Sequence, residues 1–227
     1  MEMTAPCLPN PDSRTDPDWE SFSDYLKRNN IYEVEHPALK AYQNAQEGRY
    51  LNSGALNHCL NLLHFGSDSA YAVLAEEPYG TEISDWEPEP SRSAIDSLFV
   101  QFSYRFDSRS IVYKGIGLEP FYEILDIRNL KPGKKIFFPG FLSTSVSREK
   151  AESFSSTNKL LLAIRGLDQV NAIIPPNQKV INTMAPHIPE QEILLDRATT
   201  FKVVANCLQT DGWQVVELSA SVSSCDL

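Results

Sequence analysis

The 227-residue chain has little of what marks a specialised environment. No apolar run approaches the roughly 20 residues that a membrane-spanning helix needs. The N-terminal stretch MEMTAPCLPNPDSRTDPDWE is acidic and proline-rich, and it lacks the basic and apolar regions of a cleavable signal peptide. Positive charge is scarce: 20 Lys and Arg stand against 30 Asp and Glu, a formal net charge of -10. Binding a nucleic-acid backbone needs clustered Lys and Arg facing the polyanion, so that class is set aside. The four cysteines (Cys7, Cys59, Cys207, Cys225) show no CxxC or similar spacing, which predicts neither structural zinc nor a disulfide framework. Histidine is equally unpromising as a metal ligand. His58 and His64 sit six residues apart on an expected helix, off one another's face, and His187 stands between prolines in a loop. What the chain does have is an ordinary globular composition, 42% hydrophobic and 22% charged. That suits one sizeable domain, or a compact core with a helical appendage.

The pattern along the chain changes once. Residues 1–17 are rich in Pro, Asp and Ser and read as a flexible arm. Helical signals then dominate to about residue 104. WESFSDYLKRNN follows the capping residues Asp16 and Asp18 and spaces Trp19, Phe22, Tyr25 and Leu26 along one face. HPALKAYQNAQEG has proline near its start and glycine at its end. SGALNHCLNLLHFG carries a leucine stripe through Leu56, Leu60 and Leu63, and SDSAYAVLAEEPYG is a shorter candidate. GTEISDWEPEPS reads as an acidic loop, and SRSAIDSLFVQFSYRF as a further helix. After about residue 110 the runs become short and β-rich: IVYKG, KKIFF, FLSTS, KLLLAIRG, NAII, EQEILL, FKVVANC and WQVVELS. Only REKAESFSS interrupts them as a short helix. Helices first and strands later predict an α+β protein, a helical region over 18–104 beside a β-sandwich core over 105–227.

Three stretches in the second half carry chemistry. IVYKGIG ends a β-branched strand on Lys114, followed by Gly115 and Gly117. A cation at a strand end can meet a phosphate, and glycine lets a ligand approach the backbone. PGFLSTSVSREKAESF places Ser143, Thr144 and Ser145 in succession at a strand end, before a helix that Ser147 caps. Alternation points Ser143 and Ser145 to one face, where two hydroxyls can orient a carboxylate or a sugar hydroxyl. In TMAPHIPEQEILL, period-two alternation would point Glu190 and Glu192 the same way, beside a proline-stiffened loop. Like charges at that spacing disfavour each other's ionised form, a situation common at functional sites.

In this order and spacing, Lys114-Gly115, FLSTS and EQE resemble the mono-ADP-ribosyltransferases of the arginine–serine–glutamate type, bacterial toxins and effectors among them. The resemblance covers roughly residues 105–220. It implies an ADP-ribosyltransferase-like β-sandwich that cleaves the nicotinamide–ribose bond of NAD, the co-substrate, and passes ADP-ribose to a protein side chain without a metal. Through a transition state like an oxocarbenium ion, an anion and a hydrogen bond to the ribose would be the main aids. The resemblance assigns catalysis to Glu192, Glu190 and Ser143. Glu192 would hold the ribose 2′-hydroxyl, Ser143 would orient Glu192, and Glu190 would engage the acceptor. Lys114, Gly115, Thr144, Ser145 and Phe154 would form the NAD site. The family has arginine where this chain has Lys114, which cannot make the planar two-pronged contact; Arg105 and Arg109 are the upstream substitutes.

The same resemblance implies a monomer acting on a host target protein, exported without a cleavable signal peptide and working in the host cytosol. Glu-x-Glu goes most often with an arginine acceptor, and threonine, as on ubiquitin, is the alternative. Two other classes compete. One is a silent binding module that keeps the fold, motivated by Lys114; the other is an NAD glycohydrolase that uses water.

Overall fold

The computed structural model describes residues 22–43, 50–65, 87–117, 125–176 and 191–220. Its helices are α1 (Phe22–Arg28), α2 (Pro37–Gln43), α3 (Ser53–Phe65), α4 (Pro88–Phe102) and α5 (Arg148–Ser153). The candidate helix over 67–80 lies outside the described residues. Local chemistry sets several helix starts. Asn52 Oδ1 accepts from the Ala55 amide at 2.9 Å and opens α3, and Ser147 Oγ accepts from the Lys150 amide at 3.2 Å and opens α5. At α4 the structure corrects the expected loop, because the helix begins at Pro88 within WEPEPS. Amides of a first helical turn have no intrahelical partner, so Pro88 and Pro90 remove nothing that the helix uses.

All eight β-rich runs form strands: β1 (Val112–Gly115), β2 (Lys135–Phe138), β3 (Leu142–Ser145), β4 (Leu160–Arg165), β5 (Ala172–Ile173), β6 (Glu192–Leu195), β7 (Thr199–Leu208) and β8 (Gln214–Ala220). Their order is β2-β7-β8-β4-β1-β3-β6-β5. All neighbours are antiparallel except β4 and β8. Between β1 and β3 the register holds a single pair, Tyr113 with Ser145. That thin joint divides the sheet into a five-strand leaf and a three-strand leaf.

The division of the core shows how the leaves stack. Val112, Leu160, Leu162 and Ile164 of one leaf share a buried cluster with Leu142, Ile193 and Leu195 of the other. This is the sandwich interior, and strand alternation sends the intervening residues outward. On the outer face of the short leaf, Phe141, Ile173 and Leu194 pack with Leu39, Tyr42, Leu56, Leu60, Ile95 and Phe99 of α2, α3 and α4. On the outer face of the long leaf, Tyr113, Leu161, Ala163 and Val215 pack with Ala151 of α5. The helical region therefore covers one side of the short leaf.

The leaf ends are also managed. Chain from the helical half pairs along β5, with Val34 N–H donating to Ile174 O and Tyr104 N–H to Ala172 O, each at 2.8 Å. At the opposite edge β2 exposes Lys135 directly across from the exposed Lys202 of β7. Charged side chains on an edge strand discourage further strand addition. Among the cysteines, Cys59 is buried and free, whereas Cys207 is disulfide-bonded, although the spacing of the cysteines indicates no disulfide framework.

Candidate active site

The cleft opens where the two leaves meet. It has a volume of about 210 Å³, and its walls include Lys114 and Gly115 of β1, Ser143 and Ser145 of β3, Glu192 of β6 and Phe154 after α5. Tyr113, Gly117, Thr144 and Ala151 complete the sheet side, and Ser53, the first residue of α3, lines it from the helical side.

Glu192 is the centre of this arrangement. It is 6% exposed and lies opposite Ser145 in the β3–β6 register. Leu194, two residues on, packs under the helices, so alternation turns Glu192 to that same face. Burial pushes the Glu192 carboxyl above the usual carboxylate range. The Ser143 hydroxyl, the Gln43 amide and the charge of Lys114 oppose the rise. Gln43 Nε2 donates to Glu192 Oε2 at 2.7 Å.

The three hydroxyls of FLSTS have different partners. Ser143 is half-buried in the cleft and hydrogen-bonds Glu192. Thr144 points into the sandwich, where its Oγ1 donates to the Ile193 carbonyl at 2.6 Å. Ser145 is buried and its Oγ accepts from the Ser147 amide at 3.1 Å, which ties the strand end to the start of α5. The strand itself is gripped from behind. Asn57 of α3 accepts from Phe141 N–H at 2.9 Å and donates to the Phe141 carbonyl at 3.1 Å.

Gly115 is required by close approach. A Cβ there would lie 1.9 Å from the Ala151 carbonyl oxygen, so any side chain would push α5 off β1. Beyond α5, Phe154 is 49% exposed at the cleft wall, with the Lys150 ammonium 5.3 Å from its ring centroid. The following turn is pinned to the end of β1. Ser155 Oγ donates to the Ile116 carbonyl at 2.5 Å, and Asn158 Nδ2 to the Gly117 carbonyl at 2.9 Å.

Two sequence expectations change. Arg105 and Arg109 do not take the place of the missing arginine. Arg105 Nε donates to Asn171 Oδ1 at 3.1 Å, and Arg109 pairs with Asp107 at 3.0 Å. Among the described residues Lys114 is the cation lining the cleft. The alternation argument for EQE also fails, because β6 begins at Glu192 and Gln191 has a left-handed φ of 47°. An extended repeat cannot run through such a residue. Glu190, His187 and the TMAPHIP loop lie outside the described residues. Sequence reasoning missed Gln43 and Ser53, both from the helical region. No spacing in the chain signals them, since Gln43 and Glu192 are 149 residues apart.

Among the described residues no cluster of His, Cys, Asp and Glu could hold a metal, and no helix is long and apolar enough to cross a membrane.

Sequence comparison adds a family to this cleft between two leaves, with its buried glutamate and its Ser-Thr-Ser strand. The profile of the family described as ADP-ribosyltransferase exoenzyme matches residues 95–222, more than half of the chain. The chain belongs to that family and is an NAD-dependent mono-ADP-ribosyltransferase. Among solved structures it is similar to the Vis toxin, an ADP-ribosyltransferase from Vibrio splendidus. The identity is 17% and the TM-score 0.53, over 91% of this chain and 84% of that one. A structure of Vis in complex with agmatine gives 18% identity and a TM-score of 0.50 over the same shares. At these identities the likeness shows the fold. No curated protein matches the chain by sequence.

Proposed function

We propose that the protein transfers ADP-ribose from NAD to a side chain of a host protein, as a secreted bacterial toxin or effector. The observation that carries this reading is the buried Glu192, bonded to Ser143 and Gln43 and facing Lys114 across the cleft.

The chemistry follows from that placement. Breaking the bond between nicotinamide and ribose leaves the electron pair on nicotinamide and positive charge on the sugar. A carboxylate already stripped of water stabilises such charge more strongly than a solvated one. Glu192 is the catalytic residue, accepting from the ribose 2′-hydroxyl, and Ser143 fixes its rotation. Lys114 neutralises a phosphate of NAD as a point charge. Gly115 offers its backbone to the nicotinamide amide, and Phe154 walls the ring. Thr144 and Ser145 hold the strand that carries Ser143. Glu190, one residue before Gln191, is assigned to the acceptor by its motif position. The acceptor nucleophile then bonds to the ribose carbon and loses its proton.

Arginine is the acceptor we favour, from the Glu-x-Glu pattern. Vis has been captured with agmatine, whose guanidinium is that of an arginine side chain. Full-length protein incubated with labelled NAD and a cell lysate should label a protein, and agmatine should compete as a soluble acceptor. Mass spectrometry of the labelled protein then identifies the residue, with threonine, as on ubiquitin, the outcome that would displace arginine. Glu192→Ala should abolish the labelling; persistent labelling would overturn the site. Nicotinamide release without any labelled acceptor would instead support a glycohydrolase, and neither NAD binding nor release would support a silent binding module.

A further inference from the structure

The last residue of α2 reaches from the helical region to Glu192. Gln43 Nε2 donates both to Glu192 Oε2 at 2.7 Å and to the Pro176 carbonyl at 3.1 Å. Both partners accept, so the amide has one workable orientation; turned over, its oxygen would face two oxygens. The cost of this orientation is visible, because Gln43 Oε1 is buried with no hydrogen-bond partner among the described residues. A glutamine serving only to seal the interface would avoid a buried acceptor without a donor. The donor side is thus the side that matters, and it faces the carboxylate.

The geometry points to Gln43 as a positioning residue for ADP-ribosyl transfer: a neutral donor, lent by the helical region, that fixes the Glu192 carboxylate through Oε2. The inference rests on the reading of Glu192 as the catalytic residue. Anchored to the Pro176 carbonyl, the Gln43 amide holds the carboxylate from one side while Ser143 holds it from β3. The glutamate is then aimed before substrate arrives, which is where electrostatic stabilisation gains most. Removing Gln43 would let the carboxylate turn and would leave Oε2 desolvated without its donor.

The groups around Glu192 set the sign of a pH test. On β1 Lys114 supplies the charge, and Tyr113 lines the same cleft. Ser143 and Ser145 of β3, Ser53 of α3 and Gln43 of α2 are uncharged. The active form is the carboxylate, so the rate falls as pH drops through its pKa. Gln43 lowers that pKa, and its loss moves the acid limb to higher pH.

The experiment uses full-length wild type, Gln43→Met, Gln43→Lys and Glu192→Ala, with nicotinamide release from NAD measured against pH in the presence of lysate. Gln43→Met keeps the reach and removes the donor. Its kcat should fall about tenfold to a hundredfold, the worth of a hydrogen bond to a charged group. The KM for NAD should change less, and the acid limb should move up. Gln43→Lys keeps a donor and adds positive charge, so its acid limb should move below that of wild type. A residue that merely seals the interface would not move the limb in opposite directions. Wild-type kcat and an unmoved limb in Gln43→Met overturn the proposal. If that variant fails to fold, Gln43→Lys alone decides, and an unmoved limb there is equally fatal. Glu192→Ala separates the two levels: full activity in it removes the reading of Glu192 and the proposal together, whereas loss of activity with unaffected Gln43 variants removes the proposal alone.

Discussion

Glu192 is placed at the expense of the fold that holds it. Its carboxyl is raised by burial, so the folded protein binds this proton more tightly than the unfolded chain does. Its ionised form therefore costs stability at neutral pH. The cost fades as pH falls through the raised pKa toward the ordinary carboxylate value. Glu192→Gln should raise the melting temperature at neutral pH while abolishing transfer, and the gap to wild type should close on acidification. Thermal melts at several pH values check both signs. Lys114 gives a complementary test, as the cation lining the cleft among the described residues. Lys114→Met should raise the KM for NAD by about tenfold or more, the scale of a charge-assisted hydrogen bond. It should also move the acid limb up, because Lys114 helps to keep Glu192 ionised. Much of this site could be read from the chain: Lys114, Gly115, Ser143, Thr144, Ser145, Phe154 and Glu192 all line one cleft. The strained backbone of Gln191 could not. Its φ of 47° breaks the alternation on which the pairing of Glu190 with Glu192 was argued. Non-glycine residues in that region persist where surrounding structure holds them, and such places cluster at functional sites.

At the scale of elements, alternation and punctuation carried the reading of the sheet, and all eight runs became strands. Capping chemistry was equally legible at α5, where Ser147 binds the Lys150 amide. At the start of α4 the proline-rich sequence signals a loop, yet a helix begins at Pro88, because the first turn of a helix tolerates proline. What no local pattern shows is how elements grip one another. Asn57 is the best case: its side chain completes both backbone groups of Phe141, the residue that leads into β3, 84 positions away. Its Nδ2 also donates to Tyr42 Oη at 3.1 Å. Asn57→Ala should strip the partner from the Phe141 amide and cost about 1–3 kcal/mol, the penalty of a buried group left unsatisfied. Urea unfolding gives that number. An undiminished midpoint would mean that the β3 strand end is held by packing alone.

The whole molecule ties two compositionally different halves together through the outer face of the short leaf. Phe141, Ile173 and Leu194 of the short leaf are covered by α2, α3 and α4; Ser53 lines the cleft from the helical side, and Gln43 bonds Glu192. The family match begins at residue 95, inside α4. A protein trimmed to residues 95–227 should therefore bare the apolar back of β3, β5 and β6 and lose the donor to Glu192. Exposed apolar surface of that kind drives aggregation. The trimmed form should express insolubly or lack transfer, as judged by soluble yield and labelling of a lysate. Soluble protein with undiminished labelling would show that the helices are dispensable to both.

The thin joint between β1 and β3 has a mechanical meaning. Every other pair of neighbouring strands shares two or more rungs of backbone ladder, but the two leaves share one, Tyr113 with Ser145. The backbone tie between the leaves is therefore reduced to one line, and the cleft lies beside that line. Across that line the leaves are held mainly by side chains, with Val112 and Leu162 of one packed against Leu142 and Ile193 of the other. The enzyme thus has its fewest backbone bonds at the line where its cleft opens, and relies there on side-chain packing.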